Sequence, residues 1–238
     1  MTADRWAQTV RQHVGLGRLL PLGGPRDGAW IAEGAAVAVV ERAAADELPG
    51  VRLGTLRLAL ADPDDVHEPV VPPPPAALPP GPLRLTADFA ATAAEPLPAV
   101  ASRLRRTLAA AATRRLGLVV REVDLRVTDL LDAPEPPRQV RAPRPVPAGE
   151  PSDPDEARAA TAALSVPGVR GLTAVLGRGV RLQERTAGTT ALPHRHARVE
   201  LTADADHRAV EVARGVRTAV REALEDRPTV AVLITSVG

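Results

Sequence analysis

His194 and His196 flank Arg195 in a stretch of alternating character, so on a strand both imidazoles fall on the same side. Asp204, Asp206 and His207 follow closely. Two imidazoles on one face with a carboxylate nearby can hold zinc or nickel, which makes His194 and His196 the weak metal candidates of this chain. The plainer account is a polar approach to a strand after a loop, and the sequence favours it. Asp62, Asp64 and Asp65 form a second cluster. Paired carboxylates can do acid-base work or bind a divalent cation, but Asp-Pro-Asp-Asp at the start of a Pro-rich segment is ordinary turn chemistry. The only serines are Ser102, Ser152, Ser165 and Ser236, and none lies in a Gly-x-Ser-x-Gly elbow.

Composition removes further chemistry. All 30 basic residues are arginine, so no lysine is present to form a Schiff base or to complete a Gly-Lys-Ser/Thr phosphate loop. The chain has no Cys and no Tyr, which excludes thiolate nucleophiles, disulfides, thiolate zinc sites and phenolic acids. No catalytic residue and no cofactor is expected, and the chain reads as a binding protein rather than an enzyme.

Arginine offers a different kind of site. Arg103, Arg106 and Arg114 fall on one side of a helix predicted from about Pro98 to Leu116, away from its apolar stripe. Arg214, Arg217 and Arg221 form a comparable row on a helix predicted over His207 to Glu225, with Asp206 as its expected N-cap. These six are the candidate partner-binding residues, suited to an acidic protein or an anionic lipid. The plainer reading is a solvated face balanced by Glu211, Glu222 and Glu225. Nucleic acid fits less well, because the net charge is +1 and aromatics make up 1% of the chain, leaving no stacking platform. Gly168-Val169-Arg170-Gly171 matches the Gly-x-x-Gly of a KH loop, yet it precedes a strand and reads better as a helix-to-strand turn.

The elements that must position these residues come in a repeated order. Leu48-Pro49-Gly50-Val51-Arg52 recurs as Val166-Pro167-Gly168-Val169-Arg170, and Leu83 to Asp88 recurs as Val199 to Asp204. The stripe Val100, Leu104, Leu108, Ala111 recurs as Val212, Val216, Val220, Ala223, and Val123 to Thr128 recurs as Val230 to Thr235. Four matches in one order predict an α+β protein of two tandem αββαβ modules, each a small, mostly antiparallel sheet with two helices.

In the first copy the pattern predicts a helix over Ala29 to Asp46, a strand through Val51 to Leu60 with a register break near Gly54, and strands over Leu83 to Phe89 and Val119 to Val127. In the second it predicts a helix from Asp155 to Leu164 and strands within Leu172 to Leu182 and Ala197 to Ala203. The last strand, Thr229 to Val237, is apolar on both faces and should be interior or covered by a partner.

The expected divisions are a terminal helix in 1–16, a first module over 17–132 with a Pro-rich hairpin loop at 62–82, a Pro-rich linker over 133–151, and a second module over 152–238. No apolar run reaches the roughly 18 residues of a membrane span, and the N-terminus lacks a signal peptide's apolar core. A soluble, cytoplasmic protein is expected.

Gly17-Arg18-Leu19-Leu20, Trp30-Ile31-Ala32, Pro49-Gly50-Val51, Leu116-Gly117-Leu118-Val119 and Val123 to Val127 together resemble the alkaline-shock, or Gls-type, envelope stress response proteins of Gram-positive bacteria. The likeness covers residues 17 to 131, and the second copy repeats it less fully. The duplication and the Pro-rich loop depart from the family pattern. The resemblance implies a non-enzymatic scaffolding protein acting through protein-protein interaction at the inner face of the membrane, held there by a membrane-anchored partner and able to self-associate. The alternative is an RNA- or ribosome-associated α+β module, suggested by the Arg rows. The Arg-bearing helices, the apolar last strand and the Pro-rich loop are the expected docking surfaces.

Overall fold

The computed structural model describes residues 17–133, 139–185 and 194–238. The expected terminal helix in 1–16 lies outside them. The fold is α+β, and the described residues form four α-helices and two mixed sheets, one of six strands and one of three.

The smaller sheet consists of β3 (Val51–Leu60), β4 (Leu83–Thr92) and β5 (Val120–Leu131) in that order. β3 and β4 are antiparallel, with a register shift between Leu53 and Leu56 where the break near Gly54 was expected. β4 and β5 run parallel, joined by α2 (Leu97–Ala110). The helix ends in a π-turn over Ala111–Leu116, closed by Gly117 at φ 90°. A side chain at Gly117 would meet Val210, so this position needs glycine for both its backbone and its surroundings.

The larger sheet has the order β1-β2-β9-β8-β6, from β1 (Leu19–Pro21), β2 (Ala29–Ala32), β9 (Thr229–Val237), β8 (His194–Ala203) and β6 (Val169–Leu172). A further strand, β7 (Val180–Arg185), also pairs with β8. β9 is parallel to both neighbours, β2 and β8. It is buried at every position from Val230 to Val237 and packs against both α1 (Glu33–Glu47) and α4 (Ala209–Ala223). It is therefore interior, as its two apolar faces required. α1 also packs on β3, and one continuous core of Leu, Val and Ala joins the two sheets. α3 (Pro154–Leu164) packs against α4, β6 and β7.

Several expectations need correction. Both sheets are mixed: parallel pairs, β4 with β5 and β8 with β9, stand beside the expected antiparallel ones, because a helical crossover sets its flanking strands parallel. The first helix starts at Glu33, not Ala29: Ala29–Ala32 is a strand buried at all four positions between β1 and β9. Periodicity cannot separate a short, wholly buried strand from the turn of a buried helix. The single strand expected within Leu172 to Leu182 is two strands, β6 and β7, separated by residues 173–179. Asp206 does not cap α4: the N-cap is Arg208, with no side-chain cap, and Asp206 instead donates its amide to the Asp204 carboxylate at 2.8 Å. By contrast Asp153 caps α3, accepting the amides of Asp155 and Glu156.

The Pro-rich stretches are also more tightly used than free loops. Leu19 donates to the Ala76 carbonyl and Leu78 to that of Leu19, so the 62–82 segment lies along the outer edge of β1. Trp30, buried in β2, reaches it through Nε1 to the Leu78 carbonyl at 3.1 Å. Pro147 bridges Thr173, and Ala148 donates to the Leu172 carbonyl, which lays the end of the second Pro-rich stretch beside β6. Proline lacks an amide hydrogen, so a Pro-rich segment covers a sheet edge without offering a full ladder for another strand.

Candidate functional site

The histidine cluster does not assemble. His194 is exposed at the start of β8, whereas His196 is buried, with Nδ1 2.8 Å from the Thr229 hydroxyl. Burial, reinforced by the charges of Arg185, Arg198 and His194, pushes the His196 imidazole down to about 4. Among the described residues no three His, Asp or Glu side chains are placed to hold a metal ion. In the Asp62 cluster, Asp62 accepts the Asp64 amide at 2.9 Å and Asp65 pairs with Arg121 at 2.8 Å, which is turn and surface chemistry. Gly168 has φ 87° between α3 and β6, and its carbonyl accepts the Asp204 amide, so the Gly-x-x-Gly segment is the helix-to-strand turn.

The six candidate arginines divide into two groups. Three are tied to groups of the fold. Arg103 forms a two-pronged pair with Glu95, at 2.5 and 2.9 Å. Arg214 holds Asp27 through Nε at 2.7 Å and Nη2 at 3.1 Å, and Glu211 through Nη1 at 2.8 Å. Arg217 donates to three backbone carbonyls, those of Val230 (3.0 Å), Arg26 (2.8 Å) and Asp27 (2.6 Å). Arg214 and Arg217 thus staple the 22–28 turn onto α4. Burial opposes ionisation of Asp27, but the Arg214 hydrogen bonds and the Gly24 amide win and hold its carboxyl below the usual range. Arg106, Arg114 and Arg221 are exposed.

Where the Arg214 row meets the start of β9 there is a cleft of about 380 Å³. Arg214, Arg217, Arg221 and Arg227 line it, together with Thr218 and the apolar Val70, Val71 and Pro228. The first three belong to the predicted row. Arg227 was not singled out in the sequence, because it follows the helix and enters the cleft only through a turn held at φ 47°.

Two further residues escaped the sequence reading. Glu33 is buried in the first turn of α1, accepts the Leu58 amide of β3 at 3.2 Å and receives Arg18 at 3.2 and 3.3 Å. Glu156 is buried in the first turn of α3, accepts the Leu182 amide of β7 at 3.1 Å and receives Arg178 at 3.1 Å. Each carboxylate ties a helix start to a strand later in the chain, β3 for Glu33 and β7 for Glu156, and the helix dipole favours a negative charge in the first turn. A first-turn Glu is so common on solvated faces that its type and position alone carry no signal of burial.

The outer edge of β5 differs from the two sides of β9, which pair with β2 and β8. No strand among the described residues pairs with it. Val127 and Leu130 on β5, and Val119 just before it, are exposed. Arg105 Nε donates to the Val123 carbonyl at 3.1 Å, and register shifts on the β4 side set Arg121 and Thr128 out of the ladder. The regular part of the edge is therefore 122–127.

No known protein-family model matches this chain, and no curated protein matches it.

Proposed function

We propose that the chain is a non-enzymatic scaffolding protein made of two tandem αββαβ modules, of the envelope-stress type that its motifs resemble. It acts through protein-protein contacts, its own copies included, at the cytoplasmic side of the membrane. The duplication draws support from paired features. β3 with its shift near Gly54 corresponds to β6 and β7 with their interruption, and β4–β5 corresponds to β8–β9, parallel across a helix in both. Glu33 and Glu156 make the same bond from the same helical turn.

The observation that carries the contact function is the difference between the two final strands. β9 has β2 on its outer side; the equivalent side of β5 has no strand among the described residues. A second β5 fits there, antiparallel about a two-fold axis at Leu125. Val123 then faces Val127, Asp124 faces Arg126, and Leu125 faces itself. Opposite charges and apolar groups are the favourable cross-strand pairs, and this register supplies both. Arg105 must share or release the Val123 carbonyl on pairing. The RNA-associated reading draws less support, since Arg103, Arg214 and Arg217 of the two rows are engaged within the fold.

Sedimentation velocity over a concentration series tests the pairing. The wild-type chain is expected to pass from monomer to dimer. Asp124→Arg and Arg126→Asp each place like charges opposite one another twice and are expected to weaken the dimer by roughly tenfold. An equimolar mixture of the two restores opposite charges and is expected to dimerise again. A wild-type chain that stays monomeric throughout, or variants that dimerise as well as wild type, overturns the proposal. For the cellular part, a fluorescent fusion that remains diffuse during envelope stress counts against it.

A further inference from the structure

The arginine cleft beside β9 carries an inference independent of self-association. Arg217 is fixed there by its three carbonyl acceptors, which occupy Nε and Nη1 and leave Nη2 outside those bonds. Arg221 and Arg227 line the same cleft and are exposed, and among the described residues their guanidinium groups take part in no hydrogen bond or ion pair. The Thr218 hydroxyl adds a donor that rotates to suit its acceptor.

The nearest carboxylate chemistry is directed elsewhere. Asp27 is engaged by Arg214 and by the Gly24 amide, Glu211 by Arg214 and Arg208, and Asp226 by both prongs of Arg195 at 2.6 and 2.7 Å. Glu222 and Glu225 are exposed neighbours on the chain and do not line the cleft. Arg227 is brought in by a left-handed backbone that a non-glycine residue rarely adopts, and it precedes Pro228, which disfavours helical conformations still further. Such conformations collect where a side chain must be presented in one direction.

We infer that this cleft binds the phosphate group of a small soluble phosphoester. A carboxylate has two oxygens to offer, whereas three guanidinium groups and a hydroxyl present donors for the three terminal oxygens of a phosphate, with guanidinium forks matched to it. The volume of about 380 Å³ suits a ligand of modest size rather than a folded partner. Val70, exposed at the rim, and Val71 and Pro228 beside it give an apolar wall for the ester's organic part. Burial, opposed by the charge of Asp27 and aided to a lesser degree by that of Arg221, lowers the Arg217 guanidinium below its ordinary value, and a bound anion favours its charged form.

Pyrophosphate and inorganic phosphate are suitable probes, titrated calorimetrically into the full-length wild-type chain at low ionic strength. One saturating site is expected, weakened by roughly tenfold in Arg221→Gln and again in Arg227→Gln, because each removes a charge-assisted contact. Both residues are exposed, so circular dichroism should show both variants folded. Arg57→Gln, at an exposed arginine of β3 away from the cleft, is expected to bind as wild type does. Absence of saturation at millimolar probe, or an equal loss in Arg57→Gln, overturns the site. Flotation with phosphatidylglycerol vesicles separates the sources of phosphate. Vesicle binding that depends on Arg221 and Arg227 and resists competition by pyrophosphate would show a membrane contact instead, and would overturn the small-ligand proposal.

Discussion

The last strand of the six-stranded sheet, β9, is enclosed between two neighbours, whereas β5 of the three-stranded sheet has no strand on its outer side among the described residues. In the larger sheet the Pro-rich 62–82 segment lies along β1, a second Pro-rich segment lies beside β6, and β2 fills the outer side of β9. Everything from Val230 to Val237 is buried as a result. In the smaller sheet the solvent side carries cross-strand charge pairs instead, Arg84 with Glu122 and Arg126 with Asp88, and β5 exposes Val127 and Leu130. The two parallel pairs serve different purposes: in β8–β9 the last strand lies in the core, and in β4–β5 it presents an edge. Pro-rich segments act as edge control at β1 and β6, and register shifts do so over part of β5.

Core truncation should break this comparison most strongly. Ile234→Ala on β9 is expected to cost about 2–5 kcal/mol, whereas Leu130→Ala on β5 should stay within about 0.5 kcal/mol, as read from urea denaturation of dilute protein. Equal losses at both positions would mean that β5 is covered after all.

Acid separates the sheets next. The His196 imidazole, held at about 4 when folded, titrates near 6.5 when free. The unfolded chain therefore binds a proton that the folded chain refuses between these values. Stability from this source is complete above about pH 6.5 and declines as pH falls to about 4, by at most about 3 kcal/mol. His196→Asn should flatten that slope in denaturation midpoints measured across the window, and an unchanged slope would contradict the burial of an uncharged imidazole. Smaller still, Glu33→Ala and Glu156→Ala each leave a strand amide without its acceptor and should each cost about 1–3 kcal/mol. Similar values sharpen the equivalence of the two helix starts; a silent Glu156→Ala would remove it.

Much of this architecture is legible in the residues themselves. The stripe Val100, Leu104, Leu108, Ala111 is buried as its spacing requires, and the doubly apolar 230–237 run is interior. The break at Gly54 is visible because glycine interrupts an otherwise alternating strand. What periodicity could not show was pairing between distant segments. Ala29–Ala32 looks like the start of an alanine-rich helix until β9, two hundred residues away in sequence, lies beside it. The Arg row on α4 was visible as a row. That Arg214 and Arg217 hold the 22–28 turn, and that Arg227 joins Arg221 in one cleft, depends on contacts that no local spacing encodes.

Hydrogen–deuterium exchange at low and high protein concentration tests the open edge most directly. Amides of Val230 to Val237 should exchange slowly and independently of concentration, while those of Glu122 to Val127 should become protected as concentration rises. Exchange in Glu122 to Val127 that stays the same at every concentration would contradict the claim that this edge is where copies of the chain meet.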